Sequence, residues 1–147
     1  FVEQEAELVR EIVRRGHELG NHGYRHDHPK RLSDAALRDD IVRTQNVLRE
    51  LAGVATRLYA PPYGEVDARI VQVAAETGHW TIMWTLDTID WQRPNPETIV
   101  GRVVPRAQPG AIILMHAGGP HGRSVEMIQV LLERLQARGY STVLPEA

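Results

Sequence analysis

The chain contains no cysteine, which excludes disulfides and thiolate ligands, so any metal it holds must be gripped by imidazole and carboxylate groups. Lysine is almost as scarce: Lys30 is the only one, and the remaining basic residues are arginines. With 17 basic against 19 acidic residues and a net charge of -2, there is no basic footprint for nucleic acid. No apolar run approaches the length needed to cross a bilayer, so no transmembrane segment is expected. No internal repeat, low-complexity tract or linker interrupts the sequence. At 147 residues and 42% hydrophobic the chain can build one compact core, and a single domain over 1–147 is expected.

What is present is a regular alternation of periods. Apolar residues at helical spacing predict a helix over Glu3–Leu19, with acids early and Arg14-Arg15 late. A second helix, capped by Ser33-Asp34, runs on to Gly53. Arg57–Ala60 reads as a short strand stopped by Pro61-Pro62, followed by a helix over Glu65–Thr77. Trp80–Leu86 is β-branched and aromatic without alternation, which predicts one buried strand. Pro96–Arg106 is a predicted helix, Ala111–Met115 a buried strand, Ser124–Arg138 a helix and Tyr140–Leu144 a last strand. This order argues for parallel strands covered by helices, as a (β/α) barrel in preference to an open sheet.

In both architectures working residues lie beyond the carboxyl ends of the strands. The chemically loaded segments fall there: Pro61-Pro62-Tyr63-Gly64, Asp87-Thr88-Ile89-Asp90-Trp91, and His116. A further segment, Asn21-His22-Gly23-Tyr24-Arg25-His26-Asp27-His28-Pro29, follows the first helix and is broken by glycine and proline, as a loop would be. His22 and His26 are four apart, a spacing that one helical turn would place on one face. The pair reads either as a metal grip or as ordinary solvated histidines on a polar turn.

Taken in order, His22-Gly-Tyr-Arg-His26, Ala60-Pro-Pro-Tyr-Gly64, Asp87-Thr-Ile-Asp-Trp91 and Ile113-Leu-Met-His116 resemble the second to fifth motifs of the polysaccharide deacetylase family, the NodB-type domain of carbohydrate esterases. The wording from Asp87 onward is most similar to the sporulation-associated branch. The resemblance implies a deformed (β/α) barrel and metal-dependent removal of acetyl groups from an N-acetylglucosamine-type polysaccharide such as peptidoglycan or a chitin-like polymer, outside the cell or at its envelope. His22 and His26 would bind a divalent metal, zinc foremost. A backbone N–H near Tyr63, in the turn shaped by Pro62 and Gly64, would help to hold the oxyanion. His116 would be the general acid for the leaving amine, with Asp87 as its carboxylate partner; Asp90 could instead be the partner, or cap the turn. Leu114 and Trp91 would wall the pocket for the acetyl methyl and a sugar face, unless Trp91 is plain packing.

Two departures from the family pattern accompany the match. The first motif, which carries the catalytic base and a third metal ligand as aspartates, has no counterpart, since no aspartate precedes Asp27. An N-terminally incomplete domain, lacking its first strand and helix, is therefore expected, with weak metal binding and little hydrolysis by these residues alone. The second is Ala60, where many members carry an arginine that pairs with the catalytic aspartate. A catalytically inactive carbohydrate-binding domain of the same fold is the alternative these departures suit, and a plain metal-binding or structural α/β domain is the other.

Overall fold

A computed structural model describes residues 3–116 and 124–145. It divides into two compact units, Phe1–Met83 with Leu144–Ala147, and Trp84–Val143.

In the first unit, α1 (Ala6–Arg14) is nine residues long, shorter than the Glu3–Leu19 periodicity predicts. Its carboxyl end turns at Gly16, whose φ of 81° suits a residue without a Cβ. Helix α2 (Asp34–Ala52) starts where expected: the Ser33 side chain accepts a hydrogen bond from the Ala36 N–H, and Gly53 closes it in the left-handed region. Strand β1 (Leu58–Tyr59) leads through the double proline to α3 (Ala68–Glu76), which begins at Asp67 because that carboxylate accepts from the Ile70 N–H at 2.9 Å. Strand β2 (Trp80–Thr81) pairs parallel with β1 in the register Leu58 to Trp80, and an isolated parallel bridge joins Asn21 to Tyr59 on β1. Leu37 and Ile41 from α2, Tyr59 from β1, and Ile70, Val73 and Ala74 from α3 form the core.

The second unit repeats the plan. Strand β3 (Leu86–Asp87) pairs parallel with β4 (Ile113–Leu114), between which runs α4 (Pro96–Val103), capped by the Asn95 side chain on the Thr98 N–H. A 3-10 turn over Val104–Arg106 extends α4, and α5 (Ser124–Gln136) packs against both. Ile99, Val103, Val104, Met127, Leu131 and Leu135 make this unit's core.

The buried strand expected over Ala111–Met115 is only Ile113–Leu114 and half-buried, with Ile112 exposed, and two further elements differ more. Trp80–Leu86 is two short strands rather than one buried strand, and Trp80 is 68% exposed. The chain changes partner midway: Trp80 and Ile82 donate to Arg57 and Tyr59, whereas Thr85 and Leu86 donate to Ile112. A β-branched and aromatic run without alternation favours strand, but it does not state which neighbour the strand follows. Tyr140–Leu144 is not a strand; Tyr140 donates its hydroxyl to the Ala107 carbonyl at 2.7 Å, and Val143 is 85% exposed. Its β-branched composition finds no ladder to join.

His79 is buried between Thr56 Oγ1, 2.9 Å from Nε2, and Thr77 Oγ1, 3.0 Å from Nδ1. Burial disfavours its charged form and lowers its pKa below the ordinary 6.5. The folded state therefore binds fewer protons than the unfolded chain as the pH falls through that range, so this contribution is complete above pH ~6.5 and is lost on acidification. His79→Gln should be less stable at pH 8 yet lose less stability between pH 7 and pH 5 than the parent, as read from urea unfolding at each pH.

Candidate functional site

The histidine loop is built from its ends inward. Asn21 is fully buried; its N–H donates to the Leu58 carbonyl at 2.8 Å, and its own carbonyl accepts from Ala60 at 2.9 Å, as a strand residue beside β1 would. Its side chain donates to the Ile41 carbonyl and accepts from the Gly23 N–H. Beyond it the loop turns over Asp40, a buried carboxylate on α2, whose Oδ2 accepts from the Tyr24 N–H at 2.9 Å and whose Oδ1 accepts from the Arg25 N–H at 3.1 Å. Gly23 is required at the point of closest approach. It has φ 77°, and a Cβ there would lie 2.6 Å from Asp40 Oδ2. The Arg43 guanidinium, 3.9 Å from the Tyr24 ring centroid, also donates to the Tyr24 hydroxyl and covers the loop's outer side.

This path brings His22 and His26 together, with ring centroids 4.9 Å apart and planes at 70°. Helical spacing is not what does it: no helix covers the pair, and His26 sits at φ 57° in the left-handed region. His22 Nδ1 lies 2.6 Å from the Ala60 carbonyl oxygen. A carbonyl only accepts, so Nδ1 carries the proton and in the neutral ring the lone pair is on Nε2. That is the support typical of metal-binding histidines, one ring nitrogen donating to a fixed acceptor while the other is directed at the ion. The two imidazoles thus suit part of a zinc site. Among the described residues, no group of three or more His, Cys, Asp or Glu side chains is placed to hold a metal.

The Pro61–Gly64 segment forms a 3-10 turn in which Gly64 donates to Pro61 and Glu65 to Pro62, so the Tyr63 N–H is outside the turn's own hydrogen bonds. Tyr63 is a non-glycine residue at φ 58°, a conformation that costs about 1–2 kcal/mol. Its ring, 55% exposed, stacks on His28 at 3.9 Å with an 8° interplanar angle and meets the edge of His26 at 4.7 Å. His28 donates Nδ1–H to Glu65 Oε1 at 2.9 Å. That bond foremost, opposed by burial and aided by the Lys30 N–H, holds the Glu65 carboxyl below the ordinary carboxylate range.

The second unit carries its own cluster. Asp90, fully buried in a 3-10 turn, accepts from His116 twice: Oδ1 from the ring Nδ1–H and Oδ2 from the backbone N–H, each at 2.7 Å. Burial is the largest single influence on Asp90 and opposes its ionisation. The His116 hydrogen bonds and charge with a Thr88 hydrogen bond together outweigh it, holding the carboxyl below its usual range. Asp87 is not the partner of His116. Its Oδ1 accepts the Ile89 N–H at 2.8 Å, an Asx turn that supports Ile89 at φ 54°. Position three residues later in the turn, and not the strand end, brings a carboxylate to the histidine. Thr88 ties the turn to β4 through the Leu114 carbonyl, and Arg102 donates to the Thr88 carbonyl. Trp91 is 50% exposed and Leu114 half-buried.

Comparison with known proteins fits this arrangement. Residues 1–82 match the family model described as polysaccharide deacetylase, more than half of the chain, and the chain belongs to that family. A Bacillus cereus peptidoglycan-N-acetylglucosamine deacetylase is 32% identical over 134 residues, 90% of this chain and 49% of that protein. The Bacillus subtilis protein YlxY, itself uncharacterized, is 33% identical over 141 residues, 96% of this chain and 43% of that protein. Among solved structures, a CE4 family pseudoenzyme from Bacillus anthracis superposes with a TM-score of 0.86 at 35% identity, covering 95% of this chain and 48% of that one; a mutant of it is described as having restored enzymatic activity. The chain spans about half the length of these relatives. Its fold is the parallel α/β fold of the polysaccharide deacetylases.

Sequence patterns did not single out Asp40, Asn21 or Glu65. Asp40 had a signal: it interrupts the apolar stripe Leu37, Ile41, Leu48 on the buried face of α2, where a carboxylate needs a reason. Gly23→Ala should strain the loop against Asp40 and lower stability by about 1–3 kcal/mol. Chemical denaturation checks this, with Gly16→Ala, which meets nothing within 4 Å at a similar positive φ, separating the steric part from the backbone part.

Proposed function

We propose that this chain belongs to a hydrolase that removes acetyl groups from N-acetylglucosamine units of a cell-envelope polysaccharide of the peptidoglycan or chitin type, with zinc held by His22 and His26. The observation that carries this reading is the His22 Nδ1–H bond to the Ala60 carbonyl beside the His26 ring. Bound zinc would polarise the acetamide carbonyl and acidify water. The Tyr63 N–H would donate to the oxygen as it gains charge, in the turn that Pro62 and Gly64 shape. His116 would give a proton to the nitrogen as the C–N bond breaks, releasing amine and acetate, and Asp90 would hold its ring in the Nδ1–H tautomer so that Nε2 is the nitrogen that carries the transferred proton. Leu114 and Trp91 are assigned the acetyl and sugar walls. The family's aspartate motif would supply the base and a further ligand, and the sporulation-associated branch is the affiliation the motif wording favours.

A second reading, a carbohydrate-binding domain without catalysis, draws support from Ala60 in the arginine position and from the pseudoenzyme neighbour. Acetate release decides between them. A plain structural α/β domain is separated from both by zinc stoichiometry, which in the first reading falls to zero in the His22→Ala, His26→Ala double variant.

The 147 residues alone should bind zinc weakly and release little acetate, because two imidazoles fall short of the usual three protein ligands; robust release would show that another carboxylate acts as base. When the chain is joined to an upstream segment that carries the aspartate motif, His116→Ala should lower kcat by ~10²-fold with metal content unchanged. Asp90→Asn should lower kcat by at least ~10-fold, and Asp87→Asn by less. Loss of metal on His116→Ala would make that residue a ligand instead, and equal losses at Asp87 and Asp90 would break the pairing.

A further inference from the structure

The Tyr63 turn and the histidine loop are separate in sequence, and Glu65 joins them. Its backbone N–H closes the turn on the Pro62 carbonyl, while its carboxylate reaches back to the other loop: Oε1 accepts from the His28 ring at 2.9 Å and Oε2 from the Lys30 N–H at 3.2 Å. The His28 ring held in this way lies flat on Tyr63, whose other contact is the edge of His26. A non-glycine residue persists in the left-handed region only where its surroundings over-determine it, and these contacts are the surroundings.

We propose that Glu65 is a positioning residue: through His28 it straps the Tyr63 turn to the histidine loop and fixes the direction of the Tyr63 N–H. Its value for hydrolysis rests on the function proposed above, in which that N–H meets the oxyanion. The strap also explains why Tyr63, although exposed, is not an open stacking platform, since His28 covers one face of its ring.

The test uses the metal-free 147-residue chain with ring-labelled tyrosine. Stacking on an imidazole moves the Tyr63 ring resonances upfield. In Glu65→Ala they should return toward the position of an exposed tyrosine, and Gly64 amide exchange should quicken at least tenfold. Glu65→Gln, which keeps an acceptor for His28, should retain most of the shift. If the alanine variant does not fold, Glu65→Asp, one methylene too short to reach both donors, gives the same comparison. Ring signals that stay in place in Glu65→Ala, or that move as far in Gln as in Ala, would overturn the proposal. Zinc titration of the chain joined to a segment with the aspartate motif is read separately, so failure of that fusion to bind metal refutes the metal reading without touching the strap. In an acetate-releasing fusion, Glu65→Ala should lower kcat about tenfold at constant KM; a displaced ring with unaltered kcat removes Tyr63 from the reaction and leaves the strap standing.

Discussion

The arrangement of the histidine loop depends on one buried carboxylate. Asp40 sits on the core face of α2, and burying an anion there is costly unless its oxygens are satisfied. The Tyr24 and Arg25 N–H groups satisfy them, and in doing so they draw the loop down until a Cβ at Gly23 would collide with the carboxylate. The left-handed turn at His26 and the approach of its ring to His22 follow from that path. Asn21 does the same at the loop's entrance, where its side chain bonds α2 and its backbone bonds β1. A pair of imidazoles is thereby held without a helix, by backbone bonds to side chains that carry no chemistry of their own.

The second unit uses the same device. Asp90 is buried, and both of its oxygens are occupied by one residue, His116, through ring and backbone together. One contact fixes the tautomer and the other fixes the chain that bears it, so the imidazole direction does not depend on a free rotamer. Left-handed residues at Ile89 and Arg93 flank the turn that presents Asp90. Non-glycine residues in this region recur at Tyr63 and His26 as well, so backbone strain in this molecule is concentrated where candidate chemistry is.

Much of this was legible in the sequence. The motif order identified the family, and the caps at Ser33 and Gly53 sit where local hydrogen bonding demands them. The signals that failed were those that depend on partners. Trp80–Leu86 is β-branched and aromatic without alternation, and composition could not reveal that its hydrogen bonds pass from Arg57 and Tyr59 to Ile112. Asp87 and Asp90 are equivalent as residue types, and only the turn geometry assigns one to Ile89 and the other to His116. Spacing paired His22 with His26 correctly for the wrong reason, since a loop over Asp40 does what a helical turn was expected to do. Asp40 itself is separated by fifteen residues from the nearest N–H it binds, that of Arg25, beyond the reach of local patterns.

The His22 ring is held with Nδ1–H committed to the Ala60 carbonyl and the lone pair on Nε2, the form that the proposed zinc site requires. Long-range proton–nitrogen correlation spectra of the metal-free chain, with the His22 ring nitrogens assigned, test it directly at a pH where that ring is neutral. The expected result is the Nδ1–H tautomer for His22, and on zinc addition a displaced Nε2 resonance with Nδ1 still protonated. A His22 ring found as the Nε2–H tautomer, or zinc attached at Nδ1, would contradict it.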